Sequence, residues 1–254
     1  MRIRFLGTGG AEGIPAIGCS CAHCTRAAQE GGRLLRKRTA VLFSLPGYEL
    51  LVDTPPDIRE LLDINGVRKI HGIFLTHEHT DHTGGLEEFL YWGEGVDLFA
   101  EPRVYRRLMR NGRGKRLADV AFHLVVRPGT AVRFNDFSFI PFEVHHSVPC
   151  FGLAIYEGGR RVVHVADSGR RLSNYARCLI GGADALIVNT PSFEPVEAAH
   201  LSVEEAIALQ KEMGVKRLIL THIAHHNRPQ DELEAYVAQF EGVTVAYDGL
   251  SIDV

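Results

Sequence analysis

Several broad classes are closed to this chain by what it lacks. Cysteine is scarce, 5 in 254 residues, alongside 1 Trp and 3 Met. Three of the cysteines fall within one stretch, Cys19 to Cys24, and an odd cluster is a poor start for a disulfide framework. Charge of one sign is also missing: 28 Lys and Arg stand against 31 Asp and Glu, net −3, so no global polyanion-binding surface is expected. No apolar run approaches the ~18 residues of a membrane span. Met1 leads into RIRFL with no basic-then-apolar leader, so no signal peptide and a cytoplasmic location are expected. There is no fixed-period repeat and no low-complexity stretch. The early GTGG is too short for a dinucleotide fingerprint and no helix pattern follows it.

What is present is histidine, and it is concentrated. FLTHEHTDH places His77, His79, Asp81 and His82 within six residues. An apolar strand, Ile70 to Thr76, runs directly into them, and Gly84 and Gly85 follow. A strand end and a tight loop can aim all four side chains into one pocket. Imidazole with carboxylate suits zinc, manganese or iron. Two ligands from each half suit a pair of metals ~3.5–4 Å apart sharing one activated water. A merely polar loop that happens to be His-rich is the competing reading, and four ligands at one strand–loop boundary weigh against it.

Further candidates have the same address. His145 and His146 end the strand-like FSFIPFEV, Asp167 ends VVHVAD, and His222 ends RLILT. Each alone would be an ordinary polar residue at a strand end, but loops beyond one set of strand ends collect ligands from distant parts of a chain. A second constellation is GCSCAHCT, Gly18 to Thr25, where Cys19, Cys21 and Cys24 can wrap a tetrahedral zinc if a fourth ligand arrives. His23, His225 and His226 are the available histidines. Cys150 and Cys178 stand alone and read as packed thiols. His200 precedes an amphipathic run in which Ser202 and Glu205 spell a capping box.

The apolar runs predict twelve strands: RIRFL, TAVLFSL, YELLVDT, IHGIFLT, AFHLVV, FSFIPFEV, FGLAIYE, RVVHVAD, ALIVNT, RLILT, VTVAY and LSIDV. Helical runs follow Pro56, Gly85, Pro102, Ser173, Ser202 and Pro229. Without strict βαβ alternation a doubly wound sheet is disfavoured. The expectation is an α/β sandwich, two packed mixed sheets with helices outside, as one domain over 1–254 with a zinc loop at about 18–25. Arg103, Arg106, Arg107, Arg110, Arg113, Lys115 and Arg116, with a smaller group at Arg33, Arg36, Lys37 and Arg38, could attract a phosphate-bearing substrate. The plainer reading of such runs is a solvated face.

The ordered set of strand-end ligands resembles the metallo-β-lactamase superfamily. The resemblance implies that His77, His79 and His146 hold one metal, that Asp81, His82 and His222 hold the other, and that Asp167 bridges them. His146 is preferred to His145 because the His-Ser pair resembles the family motif and strand neighbours point to opposite faces. It adds Asp53, in LLVDT, as a support for the ligand loop. GTGGAEGIPAIGCSCAHC with LTHIAHH further resembles the cyclic phosphodiesterases of the carbon–phosphorus lyase pathway, in phosphonate metabolism. That likeness implies a structural zinc on Cys19, Cys21, Cys24 and His225. It also implies hydrolysis of a small ribose-type cyclic phosphodiester by a metal-bridging hydroxide in zinc or manganese. Asp81 would orient the nucleophile and His200 would serve as general acid or phosphate contact. The implied partner is a small substrate, with nucleic acid disfavoured, no membrane, and a homodimer possible by analogy with relatives. An RNA-processing nuclease, a thioester or lactone hydrolase, and a non-hydrolytic protein like pyrroloquinoline quinone biosynthesis protein B are the rival readings.

Overall fold

A computed structural model describes residues 1–110, 121–195 and 199–254. All twelve strand-like runs form strands. The first half contributes β1 (Arg2–Gly7), β2 (Ala40–Leu45), β3 (Tyr48–Val52), β4 (Gly72–Phe74), β5 (Val96–Ala100) and β6 (Ala121–Val125). The second contributes β7 (Val132–Arg133), β8 (Phe137–Val144), β9 (Cys150–Glu157), β10 (Arg160–His164), β11 (Ala185–Asn189), β12 (Leu218–Thr221) and β13 (Val243–Val245), and β14 (Ser251–Asp253) returns to the first sheet. β5 and β7 are additions to the sequence reading. β5 is broken by Asp97, whose carboxylate accepts a hydrogen bond from the Tyr48 hydroxyl at 2.7 Å, and β7 is only two residues long.

Among the described residues the strands make two seven-stranded sheets, ordered β14-β1-β2-β3-β4-β5-β6 and β13-β12-β11-β10-β9-β8-β7. Both are mixed. β3 to β6 run parallel, as do β10 to β13, while β1 to β3 and β8 to β10 pair antiparallel. The two sheets bury one shared apolar layer. Phe74 and Phe99 of the first sheet meet Phe139 of the second edge-on, at centroid separations of 6.2 and 5.1 Å. Such aromatic contacts add to the large gain from burying the rings themselves.

The helices are α1 (Ala22–Glu30), α2 (Ile58–Ile64), α3 (Thr80–Thr83), α4 (Pro102–Arg110), α5 (Asn174–Ile180), α6 (Val203–Met213) and α7 (Gln230–Val237), with 3₁₀ turns at Gly32–Leu34 and Leu86–Tyr91. The residues of α5, α6 and α7 pack with the outer face of the second sheet in a second apolar cluster. The capping box forms as read: the Glu205 amide donates to the Ser202 hydroxyl, and the Ser202 amide donates to the Glu205 carboxylate. α1 escaped the sequence reading because its N-cap is a thiol. Cys21 Sγ accepts from the Cys24 amide where a Ser or Asp would be expected. No helix is long and apolar enough to cross a membrane among the described residues.

In α/β folds the carboxyl ends of parallel strands are the usual address for ligands.

Candidate metal centre

Strand ends set the site. The chain leaves β4 through Thr76 into His77, turns through α3, and returns to the end of β3. Gly85 is required there: a Cβ on it would lie 2.2 Å from the Pro55 carbonyl oxygen, and its amide donates to the Thr54 carbonyl. Among the described residues three non-glycine residues have positive φ, Asp53 at 64°, Ala166 at 59° and His222 at 58°. Each lies just past the end of a strand, β3, β10 or β12, and such conformations cost of order 1–3 kcal/mol and concentrate at functional sites.

Potential ligand atoms converge in two adjoining groups, each with its atoms within 4.8 Å of one another, His77, His79, His146 and Asp167, and Asp81, His82 and His222, and His200 forms an overlapping group of the same kind with Asp167 and His222. His145, the alternative to His146, is exposed. Asp167 Oδ2 reaches into both groups, 3.6 Å from His77 Nε2 and 3.4 Å from His82 Nε2.

Hydrogen bonds fix which ring nitrogen faces inward. His82 Nδ1 donates to Asp53 Oδ2 at 2.7 Å. His77 Nδ1 donates at 2.9 Å to the Thr76 hydroxyl, which itself donates to Asp53. His146 Nδ1 donates to the Ala199 carbonyl at 3.2 Å, and His222 Nδ1 to the Thr39 hydroxyl at 3.1 Å. With every Nδ1 committed outward, the four Nε2 atoms are presented to the cavity, the arrangement metal-ligating imidazoles require. Asn189 Nδ2 donates to Asp167 Oδ1 at 2.6 Å. Asp53 was foreseen among these supports; Thr39, Thr76, Asn189 and the Ala199 carbonyl were not. Only Thr76 had a signal, adjacency to the ligand run.

The electrostatics fit a cation. Burial would raise the Asp167 and Asp81 carboxyls, but the surrounding imidazoles, His222 and His82 foremost, outweigh it and hold both below the usual carboxylate range. Burial drives His77, His146 and His222 toward the neutral form. His82 is the exception: burial opposes its protonation, yet Asp167, Asp53 and Asp81 raise it well above the ordinary histidine value. Three buried carboxylates thus draw positive charge to the spot that a divalent cation would occupy. The nitrogens are spaced for it as well. His77 Nε2 and His79 Nδ1 are 3.0 Å apart, and His146 Nε2 and His79 Nδ1 are 3.3 Å apart. Two nitrogens ~2.0–2.1 Å from a tetrahedral centre lie at about that separation.

The cysteine loop assembles too. Cys19, Cys21, Cys24 and His225 bring their ligand atoms within 4.8 Å of one another, with His225 Nδ1 3.4 Å from Cys19 Sγ and 3.7 Å from Cys21 Sγ. His23 turns away and sets Nδ1 3.1 Å from both the His225 and Asn227 carbonyls. The Cys24 amide and His225 lower the Cys21 thiol to about 6, while burial pushes Cys24 up to about 11. A preformed thiolate beside an imidazole suits a soft metal. Cys150 is buried as expected, whereas Cys178, expected to be packed, is exposed on α5.

Several of the basic groups are paired with acidic side chains. Arg103 pairs with Glu101 and Glu143, and Arg107 with Glu78. Arg36 is fully buried, bonded to Thr8, Gln230 and the Ala246 carbonyl. Arg33, Lys37 and Arg38 pair with Glu234, Glu60 and Asp57. Arg113, Lys115 and Arg116 lie outside the described residues.

His200 completes the wall. It lies 3.3 Å from Asp167 by Nε2, 5.0 Å from the His146 ring and 6.2 Å from that of His222. With the ligands it lines a cavity of about 350 Å³.

Residues 48–223 match the family described as the beta-lactamase superfamily domain. The chain belongs to the beta-lactamase superfamily. Within it, this superfamily member is 26% identical to coenzyme PQQ synthesis protein B of Methylorubrum extorquens, over 100% of both chains. It is 27% identical to an octanoyltransferase of Porphyromonas gingivalis over 98% of its own length, and spans only 51% of that protein. The crystal structure of a new diphosphatase from the PhnP family superposes with a TM-score of 0.87 at 25% identity, covering 100% of this chain and 97% of the other.

Proposed function

We propose that this protein is a metal-dependent hydrolase of small phosphodiesters, of the ribose type the sequence suggests. The observation that carries the reading is His200. A seven-residue ligand set alone would serve any hydrolase of the fold, but an additional histidine at the cavity wall, not needed to complete either of the two main groups and 3.3 Å from Asp167, is suited to a leaving oxygen. Two divalent ions, when bound, would supply an activated hydroxide and charge neutralisation for the phosphate oxygens. His77, His79 and His146 with Asp167 would hold one, and Asp81, His82 and His222 with Asp167 the other. Zinc and manganese both fit the donors. Asp81 keeps a carboxylate toward the attacking side. His200, its orientation set by Asp167, would hold a proton for the departing alkoxide. Cys19, Cys21, Cys24 and His225 would hold a separate structural zinc.

Full-length similarity to coenzyme PQQ synthesis protein B favours a second reading, a metal protein of that type without diesterase activity. Turnover of bis(p-nitrophenyl) phosphate, compared with a phosphomonoester and a thioester in zinc and in manganese, separates the readings. Diester-selective turnover that drops ~10²–10⁴-fold in His200→Ala supports the proposal. Metal-loaded protein without diester turnover removes it in favour of the second reading.

A further inference from the structure

The cavity has a mouth as well as a floor, and two titratable residues there have no part in the reading above. Glu12 and His226 both line the cavity and are exposed. Their segments form one wall. The Gly10 amide donates to the Ile223 carbonyl at 2.9 Å, and a turn closes from the Gly13 amide to the Gly10 carbonyl. A Cβ on Gly10 would stand 3.3 Å from that of Ala224, so the two turns touch. His226 is held from both sides: His225 by the cysteine loop, and Asn227 by a hydrogen bond from its side chain to the Thr190 carbonyl.

This mouth carries a negative charge and no permanent positive one. Among the described residues no Lys or Arg lines the cavity. Three arginines beside lining residues are engaged: Arg38 with Asp57 and the Ala11 carbonyl, Arg170 with Glu205, and Arg228 over the Phe193 ring at 3.4 Å. A carboxylate only accepts hydrogen bonds, so Glu12 suits a hydroxyl donor, and an imidazole N–H suits a hydroxyl acceptor. The same carboxylate repels a second phosphate, and specificity commonly uses such a repulsive element.

We infer that Glu12 and His226 form a hydroxyl-binding subsite that selects substrates whose scissile phosphate is flanked by an uncharged polyol and rejects those carrying a second phosphate. This rests on the phosphodiesterase reading for the placement of the first phosphate.

The test is binding, so it does not depend on turnover. Adenosine 3′-phosphate and adenosine 3′,5′-bisphosphate are titrated calorimetrically into the metal-loaded protein. The wild type is expected to bind the monophosphate about tenfold more tightly. Glu12→Gln should narrow that ratio and Glu12→Lys reverse it, while His226→Ala should weaken both nucleotides alike. Equal or tighter binding of the bisphosphate by the wild type, a ratio unmoved in Glu12→Lys, or no measurable binding of either nucleotide would overturn the inference. Loss of bis(p-nitrophenyl) phosphate turnover with the binding ratio intact would instead remove the phosphodiesterase reading and leave the subsite standing.

Discussion

Asp53 Oδ2 and His82 Nδ1 lie 2.7 Å apart beneath the candidate metal centre, both side chains buried, and the same carboxylate takes the Thr76 amide and hydroxyl. One residue at the end of β3 therefore orients ligands on both sides of the centre: His82 directly, and His77 through Thr76.

Replacing Asp53 by Asn tests that relay with little cost to the backbone, because Asn tolerates the positive φ found there. The amide nitrogen cannot accept the bonds that Oδ2 accepts. Metal affinity should fall ~10–100-fold, the usual effect of losing such a partner. Competition against a chromophoric chelator measures it, and unchanged affinity would show that Asp53 does not orient the ligands.

Cys21→Ser separates the two roles of that residue. Serine is a good N-cap, so α1 should persist, but the soft ligand is gone. The variant should bind one metal equivalent fewer than the wild type, and its cobalt-substituted form should lose thiolate-to-cobalt absorption. Full metal content in the variant would mean the loop holds no metal.

His164 supplies a pH dependence. It is buried at the end of β10, neither ring nitrogen has a hydrogen-bond partner among the described residues, and burial lowers it to about 4. The unfolded chain takes up this proton near pH ~6.5 and the folded protein only near 4, so stability is present above ~6.5 and is lost as pH falls between those values. The loss is about 3 kcal/mol at most. His164→Leu should flatten urea-denaturation midpoints over this window. An unchanged acid slope would show that His164 is solvated or bonded when folded.

Phe139 bridges the sheets through Phe74 and Phe99. Phe139→Ala should cost ~3–5 kcal/mol, the range for a buried aromatic truncated to a methyl group. Denaturant titration reads it. A loss near zero would mean the two sheets do not depend on this layer.

The candidate ligands were legible because each sits at a strand end, where an apolar run of period two stops and a polar residue begins. Twelve strands and six helix starts followed from the same boundaries. β5 was hidden by Asp97, whose charge is paired across the sheet to Tyr48, a partner that no local pattern can reveal. α1 was hidden because a thiol replaced its usual cap. The basic clusters misled in the other direction: charge along a sequence does not show that Arg36 is fully buried or that Arg103 is tied to Glu101 and Glu143.

By itself the sequence determined the types of the candidate ligands, their order and their strand-end address, since local periodicity and side-chain chemistry are written residue by residue. Only the tertiary structure decided between His145 and His146, brought His225 rather than His23 to the cysteines, tied Thr39, Asn189 and the Ala199 carbonyl to the candidate ligands, and set Glu12 and His226 on one cavity. Those relations join residues as far apart as Cys19 and His225, and only the packing of two sheets brings such residues within reach of one another.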